Sequence, residues 1–257
     1  MLSLEGRAAL VTGGAKRIGR AIALALGRAG AEVVVHYRNS AGEAEEVAAA
    51  IRNAGGTATT LAGDLAEAQG CVALFERALS QAGRMDILVN SASLFEESRL
   101  GSLTEAEVIR QLEVNTLAPL ELSRRFAAHV RSRAGNGGPA WKGSIVNLLD
   151  SRIVDYDRSH LAYALSKRAL FSLGRMMAIE FAPEVRVNAV APGLILPPAG
   201  KDESYVESLR ESNPLRSIGT VEEIAESVLF LAGTEFITGQ VLFIDGGRHL
   251  KGSFYGA

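Results

Sequence analysis

Short apolar or β-branched runs at residues 8–11, 33–36, 58–61, 87–90, 144–148, 185–190 and 241–244 alternate with longer segments in which apolar positions recur at helical spacing. The helical patterns cover about 17–29, 41–53, 68–81, 104–133, 161–181 and 221–232, and Pro119 is expected to break the fourth. Strand runs that stay apolar at successive positions are buried on both faces, which requires parallel strands with helices packed on each side. The rhythm therefore predicts an α/β fold with a doubly wound, seven-stranded, mostly parallel sheet, forming one domain over residues 1–257. Two stretches interrupt it. Residues 135–143 are rich in glycine and proline and read as a surface loop. Residues 194–213 follow the sixth strand, contain Pro197-Pro198-Ala199-Gly200, and read as a lid over whatever the strand ends bind.

Composition narrows the partners. With 27 basic and 29 acidic residues and no long run of either sign, the chain has no general attraction for nucleic acid or anionic lipid, so a small molecule is the expected ligand. Cys71 is the single cysteine, which excludes an intrachain disulfide and suits a reducing cytoplasm. No leader peptide or membrane-spanning apolar stretch is expected. His36, His129, His160 and His249 lack metal-ligand spacing and read as ordinary loop or helix-surface residues, although His160 stands close enough to Tyr163 to touch a substrate. No metal is expected. Met176, Met177 and Trp141 read as packing.

The first strand runs into Thr12-Gly13-Gly14-Ala15-Lys16-Arg17-Ile18-Gly19 and then a helix. Glycines there let the chain turn tightly and bring backbone N–H groups near a pyrophosphate, with Gly13, Lys16, Arg17, Ile18 and Gly19 as candidate contacts. The segment resembles the TGxxxGxG motif of short-chain dehydrogenases/reductases, whose fold is Rossmann-type. Arg17 replaces the middle glycine, and TGxxxRxG resembles the variant found in pteridine reductases. After the second strand the chain reads His36-Tyr37-Arg38-Asn39-Ser40, without the carboxylate that would accept from the ribose hydroxyls of NAD. Arg38 offers a fork-shaped cation and its neighbours neutral donors, which favours the 2′-phosphate of NADPH and is similar to the HYxxS stretch of pteridine reductases. Arg38 as a solvated loop charge and Tyr37 as packing are the alternatives. Asp64-Leu65 resembles the family's adenine-edge contact, or Asp64 caps a helix. Asn90-Ser91-Ala92 stands where the family reads NNA, and Pro192-Gly193 resembles its turn beside the nicotinamide.

Tyr163 and Lys167 are four apart on one helix and so share a face. They follow the fifth strand, where the family keeps a catalytic tyrosine and a lysine that holds the nicotinamide ribose and lowers the phenol's pKa. Asn115 matches the helix asparagine that supports this lysine through water, or it marks a packing kink. Where most members carry a serine that orients the substrate carbonyl, this chain has Asp150, a substitution shared with pteridine reductases. Ser151 would point to the opposite face of an extended segment unless the strand end kinks. A carboxyl group near an apolar ring can hold and pass on a proton, which suits a ring nitrogen; capping of a turn is the alternative. Phe95 matches the aromatic that stacks on the pterin in pteridine reductases. Ser93 could touch cofactor or pterin, and Arg17 could reach the pyrophosphate and the pterin's polar edge.

The resemblance implies an NADPH-dependent reductase of C=N bonds in a pterin or dihydropterin. A carbonyl reductase, such as a 3-oxoacyl carrier protein reductase in which Asp150 or Ser151 replaces the serine, is the second reading. A non-catalytic NADPH-binding regulator is the third, and the Tyr163/Lys167 pair argues against it. The resemblance also implies a homotetramer in which helices 104–133 and 161–181 pack against their copies, with Asp245-Gly246-Gly247 near an interface.

Overall fold

The computed structural model describes residues 3–135, 142–198 and 200–250. Trp141, Ala199 of the expected lid and the core of the 135–143 loop lie outside the described residues. Strands are β1 (Ala8–Val11), β2 (Glu32–Tyr37), β3 (Ala58–Ala62), β4 (Ile87–Asn90), β5 (Gly143–Leu148), β6 (Val185–Pro192) and β7 (Val241–Ile244). Helices are α1 (Arg17–Arg28), α2 (Ala41–Asn53), α3 (Ala68–Ala82), α4 (Glu105–Leu112), α5 (Ala118–Gly135), α6 (Leu161–Glu180), α7 (Glu203–Glu207) and α8 (Val221–Gly233).

All strand pairs are parallel, in the order β3-β2-β1-β4-β5-β6-β7. This is the doubly wound sheet that the apolar runs predict, in the Rossmann-type form that the resemblance implies. Alternate residues of the buried strands feed two cores. Ala9, Val11, Val33 and Val35 pack with α1, α2 and α8, whereas Ala8, Leu10, Val34 and Leu88 pack with α3, α5 and α6. Each fully buried Leu, Ile or Val contributes roughly 1.5–3 kcal/mol. The strand order reverses between β1 and β4, which opens a crevice beyond their carboxyl ends.

The expected break near Pro119 is a π-helical turn at Glu113–Leu117 that joins α4 to α5. Pro119 has no N–H to donate to the carbonyl of Asn115, one turn earlier, so the regular ladder cannot continue through it. Thr104 starts α4 with a reciprocal capping box to Glu107. The 194–213 stretch is less irregular than its prolines suggest. Asp202 caps the short helix α7, and a 3-10 turn follows at Arg210–Ser212. Among the described residues no helix is long and apolar enough to cross a membrane.

Candidate active site

The first turn of the site is built by close backbone approach. Gly13 has φ +63°, and a Cβ there would lie 2.9 Å from Ala92 Cα; at Gly19 it would lie 2.2 Å from the Gly13 carbonyl. Thr12 Oγ1 accepts from the N–H groups of Ser91 and Ala92, tying the tail of β4 to the same turn. Lys16, the N-cap of α1, places no side-chain acceptor on the helix, so the first-turn N–H groups are open to an anion. Arg17 adopts φ +54°, the left-handed region that its family's glycine would enter without strain. Its Nη2 donates to the Pro197 carbonyl of the 194–213 stretch at 2.8 Å.

A cleft of about 350 Å³ beside this turn gathers Gly13, Lys16, His36, Tyr37, Arg38, Asn39, Ser40, Asp64, Leu65, Ala92 and Ser93. These residues fit a dinucleotide. Arg38 is exposed and has no ion pair among the described residues, and Ser40, the N-cap of α2, leaves its hydroxyl uncommitted to the helix. Lys16 is held by Glu43 at 2.7 Å. Tyr37 both lines the cleft and packs on the core. Asp64 Oδ1 accepts from Ala66 N, so it makes a turn as well as facing the cleft.

His36 is no ordinary loop or surface residue. It lies 2% exposed on β2, accepts from Gly13 N at 3.1 Å through Nδ1, and pairs Nε2 with the Gly63 carbonyl at 3.2 Å. Burial pushes its pKa down to about 4, so a neutral ring braces the glycine turn. Two other histidines are also committed: His129 accepts from Met85 N, and His249 stacks on Phe243 and pairs with Asp245. Met177 is buried as packing, but Met176 is 63% exposed.

A second, larger cavity of about 760 Å³ collects Arg17, Ile18, Ser93, Phe95, Asp150, Ser151, Tyr163, Pro192 and Gly193. The Tyr163 hydroxyl donates to Asp150 Oδ2 at 3.0 Å. Asp150 also caps the 3-10 turn Ser151–Val154 by accepting from Arg152 N, so its turn-capping and site-facing arrangements coexist. That turn is the kink at the strand end, and it brings Ser151 to the same cavity as Asp150. Lys167 Nζ donates to the Leu148 carbonyl at 2.8 Å and lies 5.7 Å from the Tyr163 ring centre. Burial lowers the lysine's pKa to about 8. The expected lowering of the phenol's pKa is reversed: burial, with the Asp150 charge and hydrogen bond, raises Tyr163 well above its ordinary value.

Asn115 is fully buried in the π-helical turn. Its Oδ1 accepts from Leu94 N, and its Nδ2 donates to Leu94 O, Gln111 Oε1 and Ser166 Oγ. Its protein contacts thus tie the segment leading to Phe95 to α6 at Ser166, next to Lys167. Asn90 and Ser91 line neither cavity; Asn90 Nδ2 donates to Asn147 Oδ1 across the β4/β5 pair. Phe95 is half-buried in the cavity wall, edge-on to Tyr163 with ring centres 4.7 Å apart. His160 stacks on it at 4.2 Å, and the Arg152 guanidinium lies 5.4 Å from its centre. Arg152 and Asp157 carry no recognisable motif, and only the fold brings Arg152 to Phe95 and Asp157 to His160. Among the described residues no cluster of His, Cys, Asp or Glu could hold a metal ion.

Residues 13–249 match the family model described as Enoyl-(Acyl carrier protein) reductase. An uncharacterised oxidoreductase of Methylorubrum extorquens is 37% identical over 96% of this chain and 99% of its own. The structure of FolM alternative dihydrofolate reductase 1 from Brucella canis, complexed with NADP, superposes with a TM-score of 0.89 at 32% identity, covering 99% of this chain and 97% of that one. The angucycline C-6 ketoreductase LanV with bound NADP gives a TM-score of 0.87 at 31% identity, over 96% and 97%. The chain belongs to the short-chain dehydrogenase/reductase family, whose members are NAD(P)-dependent oxidoreductases.

Proposed function

We propose that this protein is an NADPH-dependent reductase of C=N bonds in a pterin or dihydropterin. The observation that carries the reading is the meeting of Asp150, Tyr163 and Phe95 in one cavity, with a carboxylate on the phenol and a flat ring beside it. Its likeness to a structure named as an alternative dihydrofolate reductase supports it, because dihydrofolate is a pterin. Arg38, Ser40 and the open end of α2 suit the 2′-phosphate of NADPH, and the uncapped start of α1 suits its pyrophosphate.

When bound, the cofactor supplies a hydride to the carbon of the C=N bond. The nitrogen takes a proton from Tyr163 Oη, which burial and Asp150 keep protonated. Asp150 orients that hydroxyl and, at 17% exposure, connects it to solvent for reprotonation. Lys167 uses one N–H on Leu148 O and keeps the others for the nicotinamide ribose. Phe95 supplies a wall for the substrate ring, and Ser93 and Arg17 flank it.

The second reading, a carbonyl reductase, is favoured by the likeness to a ketoreductase and by Ser151 in the same cavity. NADPH consumption measured side by side with dihydrobiopterin, dihydrofolate and an acetoacetyl thioester separates the two. The pterins are the expected substrates; preference for the thioester establishes the second reading. Exposed Leu117, Leu165, Met176 and Ile179 on the α5–α6 side support a homotetramer, which solution mass tests. The buried, unpaired thiol of Cys71 suits a cytoplasmic enzyme.

A further inference from the structure

Helix α6, which carries Tyr163 and Lys167, is capped by another segment. Its N-cap residue, His160, makes no side-chain capping bond. Instead Ser98, from the loop after Phe95, accepts from Ala162 N through Oγ at 3.0 Å. Backbone bonds from Ser98 N to Ser159 O and from Leu161 N to Ser98 O complete the clamp. With its capping role taken over, the His160 ring is turned onto Phe95, stacked at 4.2 Å with planes 15° apart.

The ring is also oriented. His160 Nδ1 pairs with Asp157 Oδ2 at 3.0 Å, and Asp157 is itself held by Arg152 and by Ser159 N. Burial pushes Asp157 up, but the Ser159 N–H and the nearby charges outweigh it and keep the carboxylate ionised, so Nδ1 carries a proton for it to accept. Nε2 then has no partner among the described residues, and His160 lines the cavity that holds Tyr163 and Asp150. An oriented ring nitrogen left open in a substrate cavity is a recognition group.

We propose that His160 is a substrate-binding residue, backed by the Phe95 ring on which it stacks, that hydrogen-bonds a heteroatom of the substrate ring through Nε2. This rests on the pterin reading above. It makes the cavity selective for nitrogen-rich rings over all-carbon aromatic ketones, since a ring without polar atoms leaves Nε2 unpaired.

The substitution His160→Phe keeps a ring that can stack and removes both nitrogens. For H160F, kcat/KM with dihydrobiopterin is expected to fall about tenfold or more. The KM for NADPH and turnover of 1-tetralone, an all-carbon ring ketone, should stay within about twofold of wild type. In ¹⁵N-histidine-labelled wild-type enzyme with NADP⁺, dihydrobiopterin should shift the His160 Nε2 resonance and tetralone should not. Unchanged dihydrobiopterin kinetics in H160F, an equal loss of NADPH binding, or a silent Nε2 resonance overturns the proposal. Wild-type enzyme inactive with every pterin overturns the pterin reading, and this proposal with it.

Discussion

The Tyr163 hydroxyl donates to Asp150 Oδ2 at 3.0 Å, which makes the carboxylate the acceptor and the phenol the store of the proton. In the proposed mechanism the tyrosine delivers the proton and the aspartate orients its hydroxyl. Asp150→Asn should lower kcat for dihydrobiopterin by about 10²-fold or more while the KM for NADPH stays near wild type. Removing the negative charge should also bring the Tyr163 pKa down, visible as phenolate absorbance appearing at lower pH than in wild type. Unaltered turnover in D150N would assign the aspartate to turn capping alone.

Lys167 ties the site to alkaline pH. Its pKa in the fold is about 8, lowered by burial from an ordinary 10.5. As pH rises through 8 the ammonium that would hold the ribose disappears, so the KM for NADPH should climb there. Lys167→Arg, which stays charged, should move that rise to higher pH. A KM that is flat from pH 7 to 9.5 contradicts the assignment.

His36 ties the fold to acid pH. Its pKa is about 4 in the fold against 6.5 when exposed, so below 6.5 the unfolded chain gains a proton that the fold refuses. Stability contributed by the neutral ring is complete above pH 6.5 and is lost as pH falls to 4, by up to about 3 kcal/mol. His36→Asn should flatten the stability profile across that window in denaturant melts. A wild-type profile already level between pH 6.5 and 4 would refute it.

Arg17 carries a left-handed backbone and a tether to the 194–213 stretch through Pro197 O. Arg17→Gly and Arg17→Ala both lose the tether, but only glycine relieves the backbone. R17G should be more stable than R17A by about 1 kcal/mol. Both should show an equally reduced kcat/KM for substrate. If R17A melts at or above R17G, strain at this position is absent.

Arg38→Gln should raise the KM for NADPH about tenfold and leave that for NADH unchanged, because only NADPH carries a 2′-phosphate for the guanidinium to hold. Equal effects on both cofactors would make Arg38 a general surface charge.

The seven strands and the helices around them were legible because burial on both faces leaves a continuous apolar run, and amphipathic spacing marks each covering helix. The glycine turn was legible because Gly13 and Gly19 stand where no side chain fits. His36 was not legible in this way, since a polar residue at a strand end looks solvated until its two backbone partners are known. A kink at Asn115 and a substrate contact at His160 were legible, but the π-helical form of that kink and the pairing of Arg152, Asp157 and His160 beside Phe95 carry no local sequence signal.

By itself, the order of residues determined the layered α/β architecture, the family and the dinucleotide end, all of which depend on local periodicity and short spacing along the chain. Tertiary structure alone decided that Asp150 accepts from Tyr163, that burial reverses the expected shift of the phenol, and that Ser98 frees His160 to face Phe95. Those relations join segments far apart in sequence, and their energies depend on distance, orientation and desolvation, which exist only once the chain has folded.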